Sequence, residues 1–309
     1  MSDDPLHPSK HRPPSDARLA EAIDCIDRGD VARLGEILDA DLSLVTARVE
    51  DDWPPFQMYF ARPTLLHFVA ENPIRTGKIA PNIAELIGLL IDRGADVDAI
   101  CGDGGTTLGL VASGCVAREC GMQGDMIRAL VERGADPSKA LAAAVGQKED
   151  EAAAMLLELG ATPDLAGAAG LGELEHLRRH LTESPTESER RWALKLACLR
   201  NQPDAIDLLL ESGLDVNAEF EPFGTPLHIA ALENNLAAVA RLLQYKPDLS
   251  ARDRQHGGTP ADFAEHAGHE QLANLLRKFK QAGYSAAHDL LSANGDGSAV
   301  ETALTKLTP

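Results

Sequence analysis

Aromatic side chains are scarce in this sequence, at 4% of 309 residues. Its core must therefore be filled by small and unbranched residues, as between closely packed helices. Positive charge is also short: 29 Lys and Arg stand against 48 Asp and Glu, a net charge of −19. Such an acidic surface repels phosphate backbones and anionic lipid. Nucleic acid and membrane are accordingly poor partners, and basic protein surfaces are favoured. No apolar run approaches the roughly 20 residues of a spanning helix. The five cysteines are scattered without a C-x-x-C pair, which suits reduced thiols better than a disulfide framework. The start, Met1-Ser2-Asp3-Asp4-Pro5, is polar and acidic. A signal peptide is not expected there, and the chain reads as cytoplasmic.

What the sequence does contain is an echo. Gly224-Thr225-Pro226-Leu227-His228-Ile229-Ala230-Ala231 returns 34 residues later as Gly258-Thr259-Pro260-Ala261-Asp262-Phe263-Ala264. A period of this size means stacked supersecondary units. Threonine is a good helix N-cap, because its hydroxyl can accept from an unpaired N–H of the first turn. Proline suits the first helical position, where a missing N–H costs nothing. Gly94, Gly134, Gly160 and Gly213 each fall just past a helix, where left-handed geometry favours glycine.

These residues resemble ankyrin repeats. The resemblance rests on the T-P-L-H helix start, the L-L-x-x-G-A-D helix end and the D-V-N-A entry to a hairpin. Leu89 to Ala99 and Leu208 to Ala218 are good examples. It implies an all-α ankyrin-repeat solenoid over residues 16–280, with two antiparallel helices per unit and short β-hairpin fingers, some of them missing. The short, aromatic-poor units look like the ankyrin proteins common in bacteria. About eight helix pairs are expected: 17–44, those starting at Thr64 and Thr106, 140–159, 165–181, 192–212, 226–244 and 260–279. Residues 1–15 read as a disordered lead-in, and 281–309 as a C-terminal helical extension with a capping box at Ser298 to Glu301.

The period breaks in two places. Gly134 to Gly160 spans 26 residues, and Gly160 to Gly213 spans 53 for two units, so the middle units have no room for fingers. Conversely, the second and third units carry long inter-helix loops at 71–82 and 113–124. Neighbouring loops at one point of the repeat are expected side by side along one edge, as a built surface feature.

Of the twelve Phe, Tyr and Trp residues, four lie at Trp53, Phe56, Tyr59 and Phe60, and two more at Phe220 and Phe223. By the resemblance both segments are fingers bordering a concave face that binds partners. Rigid aromatics carry much interface energy. The same rings could instead cover the first helix pair, or each other, as local core.

Signals for chemistry are few. The resemblance gives His67 and His228 hydrogen bonds between neighbouring repeats, and His269 fits an inter-helix turn. His176 and His180 share a helix face, yet no further ligand stands beside them for zinc. Cys115 and Cys120 have the wrong spacing for a zinc knuckle. Gly102 to Gly105 reads as a hairpin turn, and no phosphate loop, G-x-S-x-G or H-E-x-x-H appears. No cofactor is expected. The resulting expectation is non-catalytic protein recognition through fingers and a concave face. Two rivals remain: an inhibitor or immunity-like protein blocking a basic enzyme, and an enzyme or metal-binding protein with a site around Cys115, Cys120 and His67.

Overall fold

The computed structural model describes residues 14–50, 60–71, 74–102, 104–220 and 223–282. They fall into two compact units, divided after Thr162.

The first unit opens with α1 (Ala17–Arg28) and α2 (Val31–Ala40). Asp16 caps α1 by accepting from the N–H groups of Arg18 and Leu19, and Pro14 ahead of it is buried. A 3-10 helix, Leu65–Ala70, pairs with α3 (Ile83–Asp92). The antiparallel strands β1 (Ile100–Cys101) and β2 (Gly105–Thr106) form a finger in which Ile100 faces Thr106. Next come α4 (Thr107–Ala112), the short α5 (Cys115–Glu119) and α6 (Gln123–Glu132), then α7 (Ser138–Gly146) and α8 (Asp150–Glu158). The 3-10 helix packs between α1 and α4, and α4 packs on α7, making an inner layer. Helices α2, α3, α6 and α8 succeed one another as the outer layer.

The second unit repeats this plan with α9 (Leu165–Leu171), α11 (Glu187–Leu199), α13 (Pro226–Leu232) and α15 (Pro260–His266) inside. Their partners are α10 (Leu174–Thr182), α12 (Pro203–Glu211), α14 (Leu236–Gln244) and α16 (Glu270–Ala282). Helices this short are marginal alone, and their stability comes from stacking. Alanine makes close stacking possible: Ala168, Ala169, Ala193, Ala197, Ala230 and Ala231 are all fully buried on inner helices. Leu177, Ile206, Leu209, Val239 and Leu242 fill the space behind them, each contributing about 1.5–3 kcal/mol by leaving water.

All eight expected helix pairs are present. The glycines that end outer helices have left-handed φ angles: 96° at Gly94, 98° at Gly134, and 96° at both Gly160 and Gly213. The sixth pair starts five residues earlier than its apolar pattern suggests. Thr186 and Glu189 form a capping box there, which adds a turn before Trp192. Residues 133–137, 159–164 and 183–186 contain no strand, as the shortened spacing requires.

The two long loops are each tied to a different neighbour. Glu71 accepts from the N–H of Arg75 (2.6 Å) and of Thr76 (2.8 Å). The Arg75 guanidinium then pairs with Asp27 of α1 at 2.6 Å and donates to the Phe68 carbonyl. That loop is drawn back onto the first helix pair. In the third pair the extra residues form α5, whose Arg118 pairs forward with Glu149, at the start of α8.

Candidate protein-binding site

Each described finger is gripped by a side chain of the preceding inner helix. Thr64 donates its N–H to Nδ1 of His67 at 3.1 Å, which leaves the proton on Nε2. Nε2 donates to the carbonyl of Ala99, at the base of the β1–β2 finger, at 3.0 Å. His228 repeats this with the Thr225 N–H (3.0 Å) and the Gly258 carbonyl (3.1 Å). Burial lowers the His67 imidazole to about 4 and lowers His228 as well. Both rings are therefore neutral and held by hydrogen bonds, as the resemblance implies. In the sixth pair Arg191 takes this part, donating to the Glu219 carbonyl. Thr259 instead closes its capping box on Asp262, and Pro226 and Pro260 stand in the first turns of α13 and α15.

The third pair lacks such a grip, and no finger follows it. Gly109 stands where His67 and His228 stand in their units, donating its N–H to the Thr106 hydroxyl at 3.1 Å. A Cβ there would lie 3.9 Å from the Lys139 carbonyl of α7, which packs directly on α4.

The finger between α12 and α13 carries the surface feature. Phe220 donates its N–H to the Gly224 carbonyl at 2.6 Å, and Phe223 donates to the Phe220 carbonyl at 2.5 Å. This tight return needs Gly224: its φ is +79°, and a Cβ would come within 2.8 Å of the His228 ring. One ring is thereby covered and the other left out. Phe223 is 47% exposed, whereas Phe220 is buried at 7%. On α11, Trp192 is 44% exposed, and Lys195 follows one turn later on the same face. The Lys195 Nζ lies 4.9 Å from the centre of the Trp192 ring and 4.3 Å from that of Phe223. Both distances are within cation–π range. Burial lowers the ammonium pKa, and among the described residues no carboxylate forms an ion pair with Lys195. The cations next along the helix and on the following finger are both paired. Arg191 pairs with Glu187 at 3.7 Å, and Arg254 with Glu219 at 2.9 Å.

Of the three described aromatics expected to bind, then, only Phe223 is placed on the surface. Phe60 is fully buried, edge-on to Phe68 with centres 5.4 Å apart and to His67 at 6.4 Å. It is core because its ring packs against the Phe68 and His67 rings of the inner helix that begins a few residues later. Phe220 is core for the reason just given. Trp53, Phe56 and Tyr59 lie outside the described residues. Trp192 and Lys195 escaped sequence reasoning. Their only signal was a tryptophan flanked by Arg191 and Lys195 beside the buried positions of α11.

The residues weighed for chemistry do not converge. His180 points one ring nitrogen at Glu183 (3.1 Å) and the other at the Pro163 carbonyl (3.0 Å). Among the described residues no group of three or more His, Cys, Asp or Glu side chains is placed to hold a metal. Cys25, Cys101 and Cys198 are buried and Cys115 and Cys120 exposed. Burial pushes the Cys101 thiol up to about 11 and raises those of Cys25 and Cys198. No described helix is long and apolar enough to cross a membrane.

Residues 194–286 match the family model for ankyrin repeats, in three copies. That segment carries ankyrin repeats. The matched segment begins within α11 and holds α12, the finger that follows it and the last two helix pairs. Over 85 residues the chain is 36% identical to the SMC5-SMC6 complex localization factor protein 1 of Bos taurus, covering 27% of this chain and 8% of that protein. It is 32% identical over 87 residues to the potassium channel SKOR of Arabidopsis thaliana, covering 28% and 10%. It is 35% identical over 85 residues to the potassium channel AKT1 of the same plant, covering 26% and 10%. The chain thus spans about a tenth or less of the length of these curated relatives. Ankyrin repeats are a protein–protein interaction module and typically non-catalytic.

Proposed function

We propose that this protein is a recognition scaffold that binds a protein partner where the finger at 214–225 meets α11. The reading rests on one observation: Trp192 and Phe223, both about half exposed, flank a common lysine. Large exposed rings gathered on a rigid helix and a tight turn are the usual anchors of an interface. They lose little conformational freedom on docking. Among the described residues the other exposed large apolar side chains, Leu42, Ile100 and Leu157, belong to the first unit, and scattered single residues of this kind need no binding role.

The test is capture from a native lysate by the full-length protein beside a Trp192→Ala/Phe223→Ala variant of matched thermal stability. At least one protein retained by the wild type should be lost from the variant. Identical captures by both would end this reading.

A further inference from the structure

The composition favours a basic partner, because the chain is acidic overall. The candidate site has the opposite local chemistry. We infer that the Trp192–Lys195–Phe223 cluster receives a carboxylate of an acidic partner segment, its ammonium bonding the carboxylate while the rings clasp an adjacent apolar side chain. This rests on the proposed binding role of the cluster and adds the chemistry of what it binds.

Three observations carry it. First, Lys195 is half-buried and, among the described residues, unmatched by a carboxylate, in a chain where acids outnumber bases by 48 to 29. Its neighbours show how readily cations find acids here: Arg191 has Glu187 and Arg254 has Glu219. Second, two rings lie within 5 Å of the ammonium, at 4.9 and 4.3 Å. A ring face attracts a cation but neutralises none of its charge, so the ammonium keeps its capacity to donate to an anion. Third, rings and cation are presented together by a helix and a finger held by Arg191 on the Glu219 carbonyl. An arriving carboxylate meets a site already in place, and its charge-assisted hydrogen bond forms in partly desolvated surroundings. A basic segment would bring a second cation against Lys195 between the rings, which is repulsive.

The experiment uses full-length protein and randomised 12-residue peptides displayed in three matched libraries: Asp/Glu-rich, Asn/Gln-rich and Lys/Arg-rich, each with the same apolar content. Selection should enrich the Asp/Glu-rich library. Binding of its best peptide should fall about tenfold or more in Lys195→Met, the loss expected for one charge-assisted bond. Lys195→Glu should move the preference to the Lys/Arg-rich library. Both variants are compared at thermal stabilities matching the wild type. Enrichment of the neutral or basic library, or unchanged binding by Lys195→Met, would overturn the inference. Loss of binding in Trp192→Ala/Phe223→Ala with none in Lys195→Met would overturn it while leaving the recognition surface standing. Loss in neither variant would overturn both.

Discussion

The Nε2–H of His67 donates to the carbonyl of Ala99, 3.0 Å away and 32 residues further along the chain. Because Nδ1 accepts from Thr64, a proton added to the ring must break that bond in a fully buried place. The folded pKa, about 4, lies below the unfolded value of about 6.5. The unfolded chain therefore binds the extra proton first as pH falls. The stability tied to a neutral His67 is complete above about pH 6.5 and is lost on the way down to about 4. Urea midpoints measured from pH 7 to 5 should report a loss of about 2 kcal/mol from this residue. His67→Gln should be less stable at pH 7 and show a flatter pH dependence. Equal slopes for both proteins would remove His67 as the origin.

The hydroxyl of Thr107 is buried with no hydrogen-bond partner, in the position that proline fills as Pro226 and Pro260. Thr106 already has the extended backbone that a following proline demands, with φ −89° and ψ 162°, close to Thr225 at −89° and 170°. Thr107→Pro should stabilise the protein by about 0.5–1 kcal/mol, by removing an orphan polar group and restricting the unfolded chain. A lower denaturation midpoint would refute this.

Arg75 and Asp27 are both largely covered, at 12% and 14% side-chain exposure. Truncating the arginine leaves a buried carboxylate without its counter-charge, and Arg75→Met should cost about 3 kcal/mol. Asp27→Leu in the same chain should recover most of that. Chemical denaturation of the single and double variants distinguishes a true pair from two independent contributions.

Phe60 and Phe223 should separate cleanly on substitution. Phe60→Ala empties a fully buried position and should destabilise by about 3–5 kcal/mol. Phe223→Ala removes a half-exposed ring and should cost under about 1 kcal/mol. Thermal melts of the two variants check this directly, and similar losses would place Phe223 in the core.

Much of the architecture is legible in the sequence because each unit repeats its own punctuation. Thr225-Pro226 and Gly213 set local backbone geometry, and the spacing between such marks dictates whether a finger can form. The site is less legible. Whether a ring is core or surface depends on how tightly the finger returns: Phe220, bonded to the Gly224 carbonyl, is buried, and Phe223, just before that glycine, is left half exposed. Trp192 looked like the opening of an apolar pattern, and the capping box at Thr186 and Glu189 moved the helix start ahead of it. The two long loops were visible as insertions, but their directions depend on Arg75 and Arg118 finding acids in different neighbours.

The glycine at 109 bears on how such a chain can be lengthened or redesigned. Grafting a hairpin into the short connection at 133–137 would place new backbone carbonyls with no donor waiting for them. The graft would also need an imidazole or guanidinium at 109, where a Cβ would already stand 3.9 Å from the Lys139 carbonyl of α7. Finger and clasp thus form a single heritable module: one gained without the other is a burden, so the two should be acquired, and discarded, together.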